Sequence, residues 1–456
     1  MFFGERVGSS VSLTAVAVLL ALPAPVLAAD EPQEDDGFSI EGSVRARFER
    51  IDDEFRPGKL PDETIWSSRA LVKAEYATGP VRFVGELLDA RAYGVDPGSA
   101  VGTSTVNVLE PIQAYAEFDL GEMAGGWKTS LQAGRFTMKY GSGRLVSRIG
   151  FSNVPTSFTG ARIALASAGD DKVSLFWTMP QERLPGDAAS IRDNDFELDR
   201  EGTDLQLFGA HYETKLGGLG ANLELYGYGL LEDDRADRAT RNRQLFTPGV
   251  RLSRKPKDAT FDFDFEAAYQ LGTIRTSKAV TAAEQDVSAW MLHAEVGRTL
   301  GGPAGLRIAA LFDAASGDSA GGDYTRFDPL FGARSGTFGP TANFGPLSFS
   351  NIISPGLRIA AKPSKRIDGS LSARLAWLQR ATDSFAKTGV ADPLGNAGRF
   401  AGTQYEASLG YWIVPKSIRF ALGAAYLSKG RFLEQAANAP DTGDTRYVLS
   451  DVTFSF

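Results

Sequence analysis

Two histidines, His211 and His293, and no cysteine leave little material for bond-breaking chemistry in a chain of 456 residues. A zinc site or a serine–histidine relay would have to use one of that pair, and neither has a serine-rich turn beside it. No catalytic residue, metal or cofactor is therefore expected, and the chain does not read as an enzyme. What the sequence does offer is arginine. Arg45 and Arg47 stand two apart, and Arg69 and Lys73 four apart, spacings that put each pair on one face of an extended chain. A guanidinium presents a planar pair of donors that matches a carboxylate. Rows of them suit recognition of an anionic solute.

The elements that must position these cations are strands. Along 261–269, three phenylalanines and Tyr269 fall on one face while Asp262, Asp264 and Glu266 fall on the other. Between 367 and 379, Leu371, Ala373, Leu375 and Trp377 oppose Ser370, Ser372 and Arg374. The same alternation predicts about 18 strands, from 38–50 and 65–77 through 258–274 to 416–430 and 444–456. Most are long enough to cross a bilayer, which takes about 9–11 tilted residues. Every second connection is short, as at Gly79-Pro80, Gly169-Asp170 and Pro363-Ser364-Lys365; the intervening ones, such as 51–64, 93–108, 183–202, 317–348 and 382–400, are long and polar. This is the pattern of an all-β, antiparallel, up-and-down transmembrane β-barrel with long extracellular loops. The final segment alternates up to Phe456 and looks like the assembly signal of bacterial outer-membrane proteins.

Residues 1–28 read as a signal peptide, with an apolar stretch from Val11 to Leu22 and small residues before a cleavage point at Ala28. Residues 29–456 form the barrel, expected in the cell outer membrane. A net charge of −8 argues against nucleic acid as a partner. In a membrane barrel the apolar alternate faces lipid, and an Arg or Lys misplaced there costs about 2–4 kcal/mol at mid-bilayer. That phase puts Arg45, Arg47, Arg69, Lys73, Arg82, Arg162, Arg251, Arg307, Arg358, Arg374 and Arg419 in the lumen. Glu75, Glu86, Glu117, Glu224, Asp262, Asp264, Glu266, Glu295 and Glu406 join them. Bases gather on the first strands and acids across from them, which predicts a transverse field over a conducting passage. At Asp89/Arg91 and around Gly134-Arg135 the phase is ambiguous, as a bulge or a strand end would make it. The two histidines fall on polar faces, and the loop 316–348 is expected to fold inward and constrict the pore.

One stretch carries more than architecture. Gly134-Arg135-Phe136, Tyr140-Gly141-Ser142-Gly143-Arg144-Leu145, Phe151-Ser152-Asn153 and Ser157-Phe158-Thr159-Gly160-Ala161-Arg162 together resemble the alginate-export family of outer-membrane barrels. Glu86 to Arg91, Gln113-Ala114-Tyr115 and Phe327 to Gly332 resemble it as well. Phe136 and Thr159 depart from its usual Gln and Asp. The resemblance implies an 18-stranded monomer that passes a polyuronate through an arginine-rich constriction narrowed by inward loops. It implies anion contacts by Arg135, Arg144 and Arg162 together with Arg45, Arg47, Arg69 and Arg91. Lys73, Glu86, Asp89, Tyr140 and Asn153 complete the expected pore-contacting set. The expected partners are outer-membrane lipid, an anionic polysaccharide or small carboxylated solute, and periplasmic export or assembly machinery. A diffusion porin for small nutrients with no export role is the alternative.

Overall fold

A strand with one apolar and one polar face is stable in a bilayer only when its sheet closes, because an open edge would strand backbone donors and acceptors in hydrocarbon. The sheet here closes. The computed structural model describes residues 37–456 except Ala124, Ala320 and Thr341; the signal segment expected at 1–28 lies outside the described residues. Eighteen strands are described: β1 Gly37–Asp52, β2 Glu63–Thr78, β3 Val81–Tyr93, β4 Asn107–Met123, β5 Trp127–Phe136, β6 Phe158–Ala166, β7 Lys172–Pro180, β8 Leu205–Leu216, β9 Ala221–Glu232, β10 Gln244–Arg254, β11 Phe261–Arg275, β12 Glu284–Thr299, β13 Arg307–Ala315, β14 Ile352–Ala361, β15 Ile367–Trp377, β16 Phe400–Val414, β17 Ile418–Lys429 and β18 Thr445–Ser455. Each pairs antiparallel with its chain neighbours, and β1 pairs β18 with Arg47 opposite Asp451. Phe456 seals the seam, exchanging two backbone hydrogen bonds of 3.0 Å with Gly42.

The predicted inversion of burial is present. Phe261 and Phe265 are exposed, whereas Asp262 and Glu266 between and beside them are 2% and 5% exposed. Trp66 stands opposite Tyr93, and Tyr405 opposite Tyr426, each pair exposed toward the extracellular end of its strands, as interfacial aromatics should be.

The loop expected to fold inward, 316–348, does not do so alone. Four long extracellular connections fold inward or across the rim: L3 (residues 137–157), L4 (181–204), L7 (316–351) and L8 (378–399). L4 carries a short helix α1 (Ala188–Asp193) and L7 another, α2 (Ser335–Phe338). Phe327, Phe338, Phe344 and Phe349 of L7 and Phe385 of L8 are fully buried and join Met138 and Leu145 of L3 in one apolar cluster. Strand phenylalanines such as Phe261 and Phe265 thus turn to lipid, while Phe136, Phe158 and Phe176 at β5 to β7 join the loop phenylalanines of L7 and L8 inside the barrel.

Candidate functional site

L3 crosses the lumen because its sequence turns tightly and then reaches far. Gly141 and Gly143 both sit at left-handed φ (52° and 77°), and a Cβ at Gly141 would collide with the Glu224 carboxylate. The turn sends Arg144 to the acidic strand β11, where it contacts Asp264 at 3.0 Å and Glu266 at 2.6 Å. Burial alone would lower its pKa, but Glu266 and Asp264 outweigh burial and hold it above the ordinary arginine value. Ser142 donates to the same Glu266 at 2.6 Å.

The other end of L3 rests on the basic wall. Arg45 donates to the carbonyls of Phe151 (3.3 Å) and Ser152 (3.2 Å) and to Asn153 Oδ1 (3.0 Å). Arg47 donates to the Phe151 carbonyl (3.0 Å) and pairs with Asp451 (2.9 Å). Arg69 reaches the carbonyls of Gly150 (3.1 Å) and Ser152 (3.2 Å). The Asn153 amide then donates to Ser68 and Thr105 carbonyls. Three guanidiniums therefore converge on four residues of one loop. Arg45 and Arg69 have no carboxylate within ion-pair distance among the described residues, and Nε of each is buried without a partner.

The acidic wall is positioned as expected, but its carboxylates do not stand free. Arg251 pairs with Glu224 (2.6 Å) and Asp264 (2.7 Å). Arg307 pairs with Glu295 (2.6 Å) and with Asp262. Arg374 pairs with Asp313 (2.6 Å), which His293 also contacts at 2.6 Å. His211 lies 2.9 Å from the Tyr228 hydroxyl. Most acids of this wall thus pair with cations on their own side, Glu266 pairs with Arg144 of L3, and Glu406 accepts, among the described residues, only from Ser372 and Gln404.

The remaining predicted residues divide. Tyr140 stacks on Phe176 and His211 at 5.1 and 5.2 Å, fastening L3 to β7 and β8. Glu86 faces inward and accepts from Arg148 and Gln113. Lys73 pairs with Glu41 at 3.1 Å. Arg162 lies over the Phe136 ring at 5.9 Å. Asp89, Arg91 and Arg135 are not brought to this site. Asp89 and Arg91 pair with each other at 2.9 Å in the outward register of β3, between exposed Leu87 and Tyr93. The register against β4 shifts here, but the extra residues belong to β4, and β3 itself alternates without a break from Phe83 to Tyr93. Arg135 stands opposite outward Ala114 and bonds Glu110, the Pro111 carbonyl and Glu201 of L4. Gly134 before it has a φ of 126°.

Strand phase could not reveal the loop residues that complete the site. Thr337 of α2 is one: its carbonyl accepts from Arg358 (3.0 Å) and Arg374 (2.8 Å), and its hydroxyl from Arg144 (3.3 Å). Arg183, Arg334 and Lys387 are others. The only signal for them in sequence is their place in long loops. L3 and L7 are joined by backbone hydrogen bonds from Phe331 to Leu145 (3.0 Å), Ser147 to Phe331 (3.1 Å) and Ala333 to Gly143 (2.8 Å).

This joint partitions the lumen. On the periplasmic side lies a cavity of about 670 Å³, floored by turn residues such as Pro256 and Lys362 and roofed by Phe151 and the segment 335–340. On the extracellular side lies one of about 680 Å³, lined only by loop residues and strand ends. Both fall in the roughly 300–1,000 Å³ range of small-molecule sites.

A family profile described as "Alginate export" matches residues 37–445. No curated protein sequence matches the chain. Among solved structures, OccAB2 of Acinetobacter baumannii is 14% identical with a TM-score of 0.59, over 93% of this chain and 99% of that one. Pseudomonas aeruginosa OpdK, solved with vanillate, is 13% identical with a TM-score of 0.58, over 92% and 100%. Pseudomonas aeruginosa OccK2 (OpdF), solved with glucuronate, is 11% identical with a TM-score of 0.54, over 91% and 96%. At these identities the likeness is one of fold.

Proposed function

The chain belongs to the alginate-export family of outer-membrane β-barrels, and on that premise we propose that it is a channel for small carboxylated solutes. The observation that carries this reading is the partition. L3 is held at both ends, by Arg45, Arg47 and Arg69 on one wall and by Asp264 and Glu266 on the other. It leaves a cavity of small-molecule size on either side. Where L3 rests on β1 and β2, a solute meets Arg45 and Arg69, cations without a carboxylate at ion-pair distance among the described residues. The carboxylate ligands vanillate and glucuronate in two structural neighbours support the same class. Several weak contacts handed from one guanidinium to the next serve transport better than one tight site.

Polysaccharide export is the second reading, favoured by the family match; it requires L3 and L7 to leave the lumen together. Reversal potentials in planar bilayers under a KCl gradient test the charge preference, and anion preference is expected. Liposome swelling separates the two readings: a monomeric uronate should enter and an oligouronate should not. Cation preference would sink both readings.

A further inference from the structure

The extracellular cavity has a charge imbalance that the constriction does not explain. Its lining includes Arg183, Arg243, Arg326, Arg334 and Lys387 against a single carboxylate, Asp328. Two of these cations are neutralised nearby, Arg243 by Asp328 (2.6 Å) and Glu232 (2.7 Å), and Arg326 by Asp383 (2.6 Å). The other three are not. Among the described residues no carboxylate lies within ion-pair distance of Arg183, Arg334 or Lys387. Among these same residues, Arg183 donates to the Pro155 carbonyl and the Thr156 hydroxyl, and Arg334 to the carbonyls of Gly345 (2.6 Å) and Leu347. Burial, with the nearby Arg56 adding repulsion, pushes Arg334 down to about 10. Three cations from L4, L7 and L8 thus line one cavity without an ion-pair partner among the described residues.

Neutral groups beside them also lack partners. Ser348 is 1% exposed and its hydroxyl has no hydrogen-bond partner, and Gln181 Oε1 is buried in the same condition. Both line the cavity. Buried polar atoms are rarely left unmade, so the lining asks for a ligand with both a carboxylate and hydroxyl groups. We propose that this cavity is a binding site for a sugar acid of monosaccharide size, its carboxylate between Arg334 and Lys387 with Arg183 nearby, and its hydroxyls toward Ser348 and Gln181. The site rests on the channel reading for the arrival of its ligand, but binding does not require conduction.

The test is therefore equilibrium binding. Isothermal titration of the detergent-solubilised full chain with galacturonate should give saturable binding. Glucose, without the carboxylate, and acetate, without the hydroxyls, should each bind at least about tenfold more weakly, a factor worth roughly 1.4 kcal/mol. The double variant R334Q/K387Q should weaken galacturonate by more than that, with heat-modifiable mobility on gels confirming a folded barrel; R183Q serves if the double variant does not fold. Galacturonate binding no tighter than glucose, or unchanged in the folded variants, overturns the site. Anion-selective conductance without galacturonate binding removes the site and leaves the channel. Binding without anion selectivity does the reverse.

Discussion

Arg45 and Arg69 face each other directly across β1 and β2, and both donate to the same acceptor, the Ser152 carbonyl, at 3.2 Å. Like charges directly opposite on paired strands are destabilising. Here a loop backbone is drawn between them and shares its oxygen with both. The arrangement explains how a basic wall survives unpaired, and it shows where a passing carboxylate would compete.

Arg45→Gln or Arg69→Gln should each lower anion preference, and the double change should bring the reversal potential close to the nonselective value. Single-channel recordings of the three variants check this. A double variant as anion-selective as the parent chain would falsify a role for these guanidiniums in selection.

Asp89→Ala, Arg91→Ala and the double change should leave conductance and selectivity as they are, since the pair lies in the outward register. The same recordings decide; a shift in reversal potential comparable to that of Arg69→Gln would place the pair in the lumen after all.

Arg144→Ala leaves Glu266 with no guanidinium and Asp264 dependent on Arg251. Breaking one partner out of a buried pair costs about 3–5 kcal/mol; with Arg251 still in place the lower end applies. L3 should undock from β11, raising single-channel conductance and exposing 141–152 to protease. Unchanged conductance together with an intact L3 would refute the bridging role.

Gly332→Ala should part L3 from L7, because a Cβ there overlaps the Arg144 carbonyl, a backbone atom with no room to yield. Conductance should rise with greater open-channel noise, while heat-modifiable mobility stays that of a folded barrel. A quiet channel of parental conductance speaks against the joint as the partition.

Asp199 of L4 is pushed up to about 6, by burial first and by Glu110 second. Its carboxyl accepts from the Leu184 amide (2.9 Å) and from Asn107 (2.8 Å), with Arg183 also near. A folded value above the unfolded one of 3.8 means the folded loop holds the proton more tightly. Docking of L4 is then strongest below about pH 4 and weakens as pH rises through about 6. Hydrogen exchange at Leu184 should quicken over that window, and Asp199→Asn should flatten the slope. Exchange that slows with rising pH, after correction for intrinsic rates, would contradict the assignment.

What the sequence determined alone is what depends on neighbours two residues apart. Period two set the strands, their lipid and lumen faces, the closed barrel and the alternation of short turns with long loops; Arg45, Arg47, Arg69 and Glu86 face inward as that period requires. Arg91 and Arg135, placed among the pore contacts by the family resemblance and not by that period, fall on the outward alternate of β3 and β5. Only the tertiary structure decided the path of the loops. Arg144 meets Asp264 across 120 residues of chain, and Arg45 meets Ser152 across 107. No local pattern encodes such contacts, because they form only once the barrel has closed and brought opposite walls within reach of one loop. The lumen was therefore legible as charged from its strands and as constricted by the loop 316–348, but the path of L3 from one wall to the other was not, since its residues lie in a segment without a period.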